Sequence, residues 1–292
     1  MVQTKTGIGW IGTGKLGTAI VNCLLSKKNK VSVFNRTYLN TMPLIEQGAI
    51  WVNSPKELAA QHEYIIICVT GGKALEDILF NENTGLISSK HNDLKVINCG
   101  TVSYSTAKFI ASRMEQENIT YIDAPVSGGI IKAREGTLTA LISGQKCNIK
   151  LCRPMLEEFC EKIVELVGEG NAQLMKILNN AAEIAHLVIA TDLIQVCNKL
   201  NIKLEDLYSV ITSARGFSTY MALLLEKIIS KNEETHSTLL QRIQDIENML
   251  DICDIVKYKS DFALLCKEKL WRAVELFDEN VDQSYCVKAV KD

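Results

Sequence analysis

Apolar and polar positions follow different periods in the two parts of the chain. Up to Gly170, short β-branched runs alternate with segments of helical periodicity, which predicts βαβ units and a parallel sheet. The run Tyr64–Val69 is continuously apolar, as expected for a strand covered on both faces. The predicted strands of the sheet are Gly7–Ile11, Lys30–Phe34, Ala49–Val52, Tyr64–Val69, Lys95–Asn98 and Tyr121–Ala124. Two further strands, predicted to close this domain, are Thr137–Ser143 and Ile163–Val167.

Few turn-forming residues interrupt the chain after Gly170. Sixteen of the 17 glycines lie at or before this residue, as do all four prolines. The segment from Ala172 to about Leu200 contains neither type, and its apolar side chains surround most of the helix axis, which predicts a long, centrally buried helix. Further predicted helices are Leu204–Thr212, Thr219–Lys231, Ser237–Lys257 and Phe262–Phe277. The pattern predicts an α/β domain over residues 1–168, followed by an all-α domain over residues 169–292.

Composition narrows the class of protein. With 292 residues, 47% of them hydrophobic and 23% charged, the chain is typical of a globular protein of two domains. A net charge of −2 gives no indication of a nucleic-acid or membrane-surface partner, and the longest apolar runs are too short to cross a bilayer. The ten cysteines form neither a Cys-x-x-Cys pair nor a zinc-spaced cluster, so we expect reduced thiols and no metal site. Because Met1–Lys5 leaves no room for a signal or transit peptide, we expect a cytoplasmic protein.

Two overlapping G-x-G-x-x-G matches occur at the first predicted strand. The match from Gly7 to Gly12 would put glycines inside that strand, where no tight turn is needed. The match Gly12-Thr13-Gly14-Lys15-Leu16-Gly17 stands between the strand and a helical run. There the three glycines can make the turn, admit a pyrophosphate and pack helix on strand, while the helix N-terminus attracts the phosphates. This context favours an α/β Rossmann-type dinucleotide-binding domain over a generic glycine turn.

The end of the second predicted strand indicates which dinucleotide binds. An acidic residue about 20 residues beyond the glycine loop usually binds the ribose hydroxyls of NAD. Here the strand ends in Asn35-Arg36-Thr37, without a carboxylate. Arg36 can instead clamp the 2′-phosphate of NADP, with hydrogen bonds from Asn35 and Thr37. The other interpretation is an exposed arginine after a strand. The position of Arg36 relative to the glycine loop favours the first interpretation and therefore NADP(H), with NAD(H) as the alternative coenzyme.

Two further groups of residues carry candidate chemistry. In the segment Asp123–Gly129, the hydroxyl of Ser127 and the N–H groups of Gly128 and Gly129 could hold a carboxylate, or the segment is a structural turn. The start of the long helix carries polar residues on one face, at Lys176, Asn179, Asn180 and Glu183. This polar face is either a solvated helix start or a lysine held beside two amides in an interdomain cleft.

Four segments occur in the order and spacing of the β-hydroxyacid dehydrogenases, and the chain resembles that family. The segments are Gly9–Gly17, Asn35–Thr37, Asp123–Gly129 and Gly168–Asn180. The family includes 3-hydroxyisobutyrate dehydrogenase, tartronate semialdehyde reductase and the glyoxylate/succinic semialdehyde reductases. Near the end of the chain, Asp282-Gln-Ser284 is similar to the family's closing motif.

The resemblance implies the function of individual residues. Lys176 would be the catalytic acid or base, and Asn180 would bind the substrate beside it. Ser127 and Gly128 would bind the substrate carboxylate. Thr101 would contact the nicotinamide side of the cofactor, and Val69 and Thr70 would line the cofactor cleft. The resemblance also implies a Rossmann-type domain joined by a long interdomain helix to an all-α domain, in homodimers or homotetramers.

The sequence of the later helical part differs from the family pattern. Members of the family usually have a Lys-Asp-Leu motif, whose lysine lies near the cofactor, whereas this chain has Gln244-Asp245-Ile246. Gln244 is therefore assigned by position to the cofactor site, where the lost positive charge is expected to weaken or redirect activity. A milder departure is Gly100, where the family often has serine.

The function that the resemblance implies is the NADP-dependent interconversion of a small β-hydroxyacid and its semialdehyde. The substrate would be a small molecule bearing a carboxylate. One alternative is an imine reductase on the same scaffold, but such relatives typically lack a lysine at the position of Lys176. The other is a non-catalytic NADP-binding interaction protein, which the missing lysine at Gln244 leaves open.

Overall fold

The computed structural model describes residues 7–89 and 93–289. The prediction made from Met1–Lys5 therefore falls outside the described residues. By the density of its internal contacts the chain divides into two units, one ending at Lys176 and one beginning at Ile177. The boundary after residue 168 that the sequence suggested stays a prediction.

A six-stranded parallel sheet forms the centre of the first unit. Its strands are β1 (Ile8–Ile11), β2 (Val31–Phe34), β3 (Ile50–Trp51), β4 (Tyr64–Ile67), β5 (Lys95–Asn98) and β6 (Thr120–Asp123). They lie in the order β3-β2-β1-β4-β5-β6, and every neighbouring pair is parallel. Ile8 in β1 is paired with Val31 on one side and with Tyr64 on the other. All six predicted strands are confirmed, as is the Rossmann-type topology.

Helices cover both faces of this sheet. They are α1 (Lys15–Ser26), α2 (Met42–Ile45), α3 (Pro55–Gln61), α4 (Gly72–Phe80), α5 (Tyr104–Gln116), α6 (Gly129–Glu135) and α7 (Lys146–Glu157). Ile66 packs in one hydrophobic cluster, and its neighbours Ile65 and Ile67 pack in another. Because alternate side chains of a strand point to opposite faces, this separation confirms that β4 is covered on both sides.

A second, three-stranded sheet follows. It consists of β7 (Val126–Ser127), β8 (Leu138–Ile142) and β9 (Cys160–Glu165), with β7 antiparallel and β9 parallel to β8. The predicted strands Thr137–Ser143 and Ile163–Val167 therefore exist, but they do not extend the first sheet. The chain leaves β6 through Ala124-Pro125 and pairs Val126 and Ser127 with β8, so that a separate sheet forms.

The second unit is helical. Its helices are α8 (Asn171–Lys199, which begins in the first unit), α9 (Leu204–Ser213), α10 (Thr219–Ile229), α11 (Leu239–Ile255) and α12 (Asp261–Leu276), followed by a 3₁₀ helix (Gln283–Lys288). Hydroxyl side chains accept hydrogen bonds from the first turns of α10, α11 and α12, at Ser218, Thr238 and Ser260. These caps fix where the helices start and agree with the predicted positions to within a few residues.

Burial of α8 differs from the prediction. The helix is present where expected, but it is not buried on all sides. Met175, Ile189 and Val196 are 37%, 50% and 54% exposed. Ala182 completes a spacing of seven residues and is also exposed, so these side chains share one face. By length and composition α8 could cross a membrane, but the core helix of a soluble protein meets the same criteria. The described residues leave this strip of α8 exposed to solvent.

Candidate functional site

The glycine loop after β1 has the geometry of a dinucleotide-binding turn. Gly12 has φ +98°, and a Cβ added there would lie 2.3 Å from the carbonyl oxygen of Cys68. A Cβ on Gly17 would lie 2.1 Å from the carbonyl oxygen of Gly12, which is why helix α1 can approach the strand. At Gly14 an added Cβ would meet nothing within 4 Å. The first and third glycines thus permit the fold, and the second leaves open space at the helix N-terminus.

This open space is suited to phosphate. The hydroxyl of Thr13 is buried, and it forms no hydrogen bond with any residue that the structure describes. Gly14 caps α1 without a side-chain hydrogen bond, so the first N–H groups of the helix point at the same space. Lys15 and Leu16 open the helix, with Lys15 exposed. The residues present therefore fit the pyrophosphate of a dinucleotide.

Asn35 connects the glycine loop to the end of β2. Its side-chain oxygen accepts a hydrogen bond from the N–H of Thr13 at 3.1 Å, and its side-chain nitrogen donates to the carbonyl of Thr37 at 2.9 Å. Its amide thus orders two loops, and direct contact with a coenzyme stays a prediction. Arg36 is exposed and has no ion-pair or hydrogen-bond partner among residues 7–89 and 93–289.

The loops after β4 and β5 lie against each other beside the glycine loop. The N–H of Gly71 is 3.5 Å from the carbonyl oxygen of Thr101, so the segments containing Val69-Thr70 and Thr101 are neighbours. A Cβ added at Gly100 would lie 2.0 Å from the carbonyl oxygen of Val69. Glycine at this position is therefore required by a close approach of two backbones, and a serine here would need the loops to move apart.

Ser127 and Gly128 connect the short strand β7 to helix α6. Ser127 is half-buried and pairs with Thr139 of β8. Gly128 is the N-cap of α6, with φ +131°. Their assignment to the substrate carboxylate stays a prediction.

The polar residues at the start of α8 differ in how deeply they are buried. Lys176 and Asn180 are only 9% and 5% exposed, whereas Asn179 is exposed and donates to Glu183 at 2.9 Å. The side-chain oxygen of Asn180 is buried, and no described residue donates a hydrogen bond to it. An unsatisfied buried acceptor costs about 1–3 kcal/mol, and such groups are often satisfied by a ligand or water. Lys176 and Asn180 are thus not the solvated helix start of the alternative interpretation.

A buried hydrogen-bond network lies at the carboxyl ends of β5 and β6. One oxygen of Asp123 accepts hydrogen bonds from Asn98 at 3.0 Å, from the hydroxyl of Tyr121 at 3.0 Å and from Gln173 at 3.1 Å. Gln173 also donates to the carbonyl of Gly100 at 2.9 Å and accepts from the N–H of Val102 at 3.2 Å. We call these four side chains the Asp123 network. The sequence did not single out Gln173, because it stands among apolar residues.

Burial raises the pKa of Asp123, and the hydrogen bonds from Gln173, Asn98 and Tyr121 oppose this shift. Burial also raises the pKa of Tyr121 well above its ordinary value, and the charge of Asp123 adds to the effect. A carboxylate without hydrogen-bond donors would be costly at this depth, so the three donors are what permit it here.

On helix α11 the buried cation is Arg242, not residue 244. Gln244 is exposed, whereas Arg242 is 7% exposed and contacts Gln283 at 2.5 Å, Glu183 at 3.2 Å and Asp245 at 3.3 Å. Burial would lower the pKa of Arg242, but the charges of Tyr220, Asp245 and Glu183 outweigh it and raise the pKa. The assignment of Gln244 to the cofactor stays a prediction.

Metal ligands are not grouped in the described part of the chain. No cluster of three or more His, Cys, Asp or Glu side chains suited to a metal ion occurs in residues 7–89 and 93–289.

The topology, the glycine loop and the free space at Gly14 define the first unit as a dinucleotide-binding fold. Two family models match the chain. One describes the NAD binding domain of 6-phosphogluconate dehydrogenase and matches residues 7–168. The other describes the NAD-binding part of NADP-dependent 3-hydroxyisobutyrate dehydrogenase and matches residues 170–290. The chain belongs to the β-hydroxyacid dehydrogenase family of NAD(P)-dependent oxidoreductases, which confirms the resemblance.

Several relatives and solved structures are similar over most of the chain. YkwC of Bacillus subtilis, an uncharacterized oxidoreductase, is 27% identical over 86% of this chain and 87% of its own length. The 3-hydroxyisobutyrate dehydrogenase of Pseudomonas aeruginosa is 30% identical over 60% of this chain and 58% of its own. The structure of Psf3 in complex with NADP+ and 2-OPP has a TM-score of 0.91 at 30% identity, covering 97% of this chain and 100% of that one. An imine reductase from Myxococcus stipitatus has a TM-score of 0.61 at 15% identity, covering 99% and 100%, and shows only that the fold is shared.

Proposed function

We propose that this protein is an NADP-dependent enzyme that interconverts a small β-hydroxyacid and its semialdehyde. The observation that carries the proposal is the buried pair Lys176 and Asn180, which lie one helical turn apart on α8. A lysine withheld from water next to an amide oxygen that lacks a donor is the combination expected where a substrate hydroxyl or carbonyl is bound. Membership of the family supports the same assignment.

The residues of this chain would bind the substrate and move one proton. The coenzyme supplies a hydride to the carbonyl carbon when it is bound. Lys176, as the ammonium ion, donates a proton to the forming alkoxide oxygen during reduction, and as the amine it accepts that proton during oxidation. The side chain of Asn180 binds the substrate beside Lys176, and Ser127 and Gly128 hold the carboxylate, which fixes the face presented for transfer.

The preference for NADP(H) is supported by Arg36. Its guanidinium is exposed and unpaired within the described residues, immediately after β2 and close in sequence to Asn35, which contacts the glycine loop. The related structure of Psf3 contains NADP+. A bidentate arginine–phosphate contact contributes about 1.5–3 kcal/mol, or roughly ten- to a hundredfold in affinity.

Coenzyme binding and turnover test the proposal separately. Dissociation constants for NADPH and NADH should differ by at least about tenfold in favour of NADPH, and Arg36→Ala should abolish this difference. The activity panel is a set of short semialdehydes, glyoxylate and a cyclic imine, each assayed with NADPH. Lys176→Met should lower kcat at least about a hundredfold while coenzyme affinity is unchanged.

Three results would contradict the proposal. Tighter binding of NADH would reject the coenzyme assignment. Turnover of the imine without turnover of any aldehyde acid would favour the imine reductase. Tight coenzyme binding without turnover of any panel member would favour the non-catalytic interaction protein.

We further propose a homodimer or homotetramer, located in the cytoplasm. The exposed apolar strip on α8 (Met175, Ala182, Ile189 and Val196) supports assembly through this helix, because such strips are usually covered in a stable oligomer. All ten cysteines lie within the described residues and are free thiols, which supports a reducing compartment.

A further inference from the structure

We propose that Gln173 is a positioning residue, which sets the location of Lys176 by tying the first turn of α8 to the carboxyl ends of β5 and β6. The inference rests on the proposed function of Lys176. It concerns how that lysine is held.

Both polar atoms of the Gln173 side chain form hydrogen bonds, and the side chain is buried. The side chain is 0% exposed. Its nitrogen donates to the carbonyl of Gly100 at 2.9 Å and to Asp123 at 3.1 Å, and its oxygen accepts from the N–H of Val102 at 3.2 Å. Three hydrogen bonds to three separate residues fix both the height and the rotation of a helix turn, which one contact could not do.

A second contact fixes the same turn. The N–H of Ala172 donates to the hydroxyl of Ser143 at 3.0 Å, and Ser143 is bridged through its backbone to Asp123. Each helix begins with N–H groups that have no partner within the helix, and here one of them is bound by the end of β8. The first turn of α8 is thus held by side chains from two sheets.

Lys176 follows Gln173 by three residues. On a helix this places the two side chains on neighbouring positions of the same face, about 4.5 Å apart along the axis. The segment bound by Gln173, Gly100 to Val102, contains Thr101, the residue assigned to the nicotinamide side. One side chain therefore determines the distance between the proposed acid and the loop that would hold the coenzyme.

An apolar residue at this position would leave the carbonyl of Gly100 and the N–H of Val102 without this partner and would remove one donor from Asp123, so some stability is expected to be lost. The satisfied polar network also specifies one geometry for the first turn of α8. Displacing a catalytic group by about 1 Å can cost about a hundredfold in rate. The expected consequence of losing the Gln173 contacts is therefore a loss of kcat.

Gln173→Met and the matched control Gln195→Met test this inference. Gln195 lies on the same helix, and its side-chain nitrogen also donates to a backbone carbonyl, that of Val287, at 2.5 Å. We expect Gln173→Met to lower kcat about 10- to 100-fold, with the dissociation constant for NADPH within about threefold of the original. Gln195→Met should leave kcat within about twofold. Unchanged kcat in Gln173→Met, or equal losses in both variants, would overturn the inference.

Gln173→Glu provides a readout that a purely structural residue would not change. The introduced carboxyl faces the carbonyl of Gly100 and the carboxyl of Asp123, with Tyr121 and Glu169 as the other titratable groups near Asp123. It can reproduce a donated hydrogen bond only while it holds a proton. The ratio of the kcat of this variant to that of the original protein should approach one at low pH and fall as pH rises. A pH profile parallel to the original would contradict the positioning role.

Labelling of Lys176 separates this inference from the proposed function. An amine-reactive acylating reagent, followed by mass spectrometry, gives the rate at which each lysine reacts. In Gln173→Met the rate at Lys176 should change at least about fivefold relative to exposed lysines, and in Gln195→Met it should not. If the original protein turns over no panel substrate but this change is found, only the proposed function fails. If turnover is found but neither kcat nor labelling responds, only the positioning role fails.

Discussion

Replacing Arg242 by methionine measures how much the buried cation on α11 contributes to the stability of the helical unit. Its guanidinium contacts Gln283 at 2.5 Å, Glu183 at 3.2 Å and Asp245 at 3.3 Å. Methionine has a similar length and no charge, so the substitution removes the contacts without leaving a large cavity. Glu183 and Asp245 then each lose their ion-pair contact with Arg242.

The expected loss follows from the exposure of these carboxylates. Removing one partner of a fully buried ion pair costs about 3–5 kcal/mol, because the other charge is left without compensation. The side chains of Glu183 and Asp245 are 27% and 16% exposed, so water can partly solvate both after the substitution. We therefore expect Arg242→Met to lower the free energy of unfolding by about 2–4 kcal/mol at neutral pH.

Equilibrium urea unfolding followed by circular dichroism measures this loss. The control is Gln244→Met on the same helix, an exposed position where we expect a change within about 0.5 kcal/mol. A double-mutant cycle with Glu183→Gln should give a coupling energy of at least about 1 kcal/mol. A loss below about 1 kcal/mol in Arg242→Met, or an equal loss in Gln244→Met, would refute the account of Arg242 as the structural cation of this helix.

Three further predictions concern other parts of the chain. Gly100→Ala should destabilise the protein by about 1–3 kcal/mol in urea unfolding, because its Cβ would lie 2.0 Å from the carbonyl oxygen of Val69. In Gly14→Ala the added Cβ would meet nothing within 4 Å, so this variant should lose at most about 1 kcal/mol of stability but bind NADPH more weakly. Burial alone would raise the pKa of Asp282, but hydrogen bonds from Ser284 and His236 and the charge of Lys227 lower it. The stability that the Asp282 carboxylate contributes is therefore complete above its unfolded pKa of about 3.9 and is lost as pH falls through its pKa in the folded protein. Asp282→Asn should flatten the acid limb of a curve of stability against pH, and an unchanged limb would contradict this. Ile189→Glu should lower the mass measured by light scattering if the apolar strip on α8 mediates assembly, whereas the exposed substitution Gln244→Glu should not.

Local patterns were sufficient to predict the first unit's sheet and the glycine loop. A strand covered on both faces must be continuously apolar, and Tyr64–Ile67 is, with Ile65 and Ile66 in separate clusters. A turn with positive φ between a strand and a helix requires glycine, and Gly12 meets that requirement. These features depend on a few consecutive residues, so they can be predicted without knowing which distant residues come into contact on folding.

The sequence also indicated Lys176 and Asn180, since a polar face on an apolar helix is unusual, but it could not separate the buried pair from exposed Asn179. It assigned residue 244 by position in a motif, whereas the buried cation of that helix is Arg242. Helical periodicity says which residues share a face. It does not say which face meets the interior, because that depends on the neighbouring helices.

What only the tertiary structure decided is how polar groups are paired. Gln173 stands in an apolar stretch with no local partner, and its hydrogen-bond partners are 50, 71 and 73 residues away. Likewise, β8 and β9 joined a second sheet because β7 pairs with β8, and no local pattern specifies a partner strand. Hydrophobic period and backbone preference act over neighbouring residues, so the sequence determined the elements and the dinucleotide loop. Hydrogen bonds and ion pairs act between groups that folding brings together, so the arrangement around Lys176 and Arg242 was decided only in three dimensions.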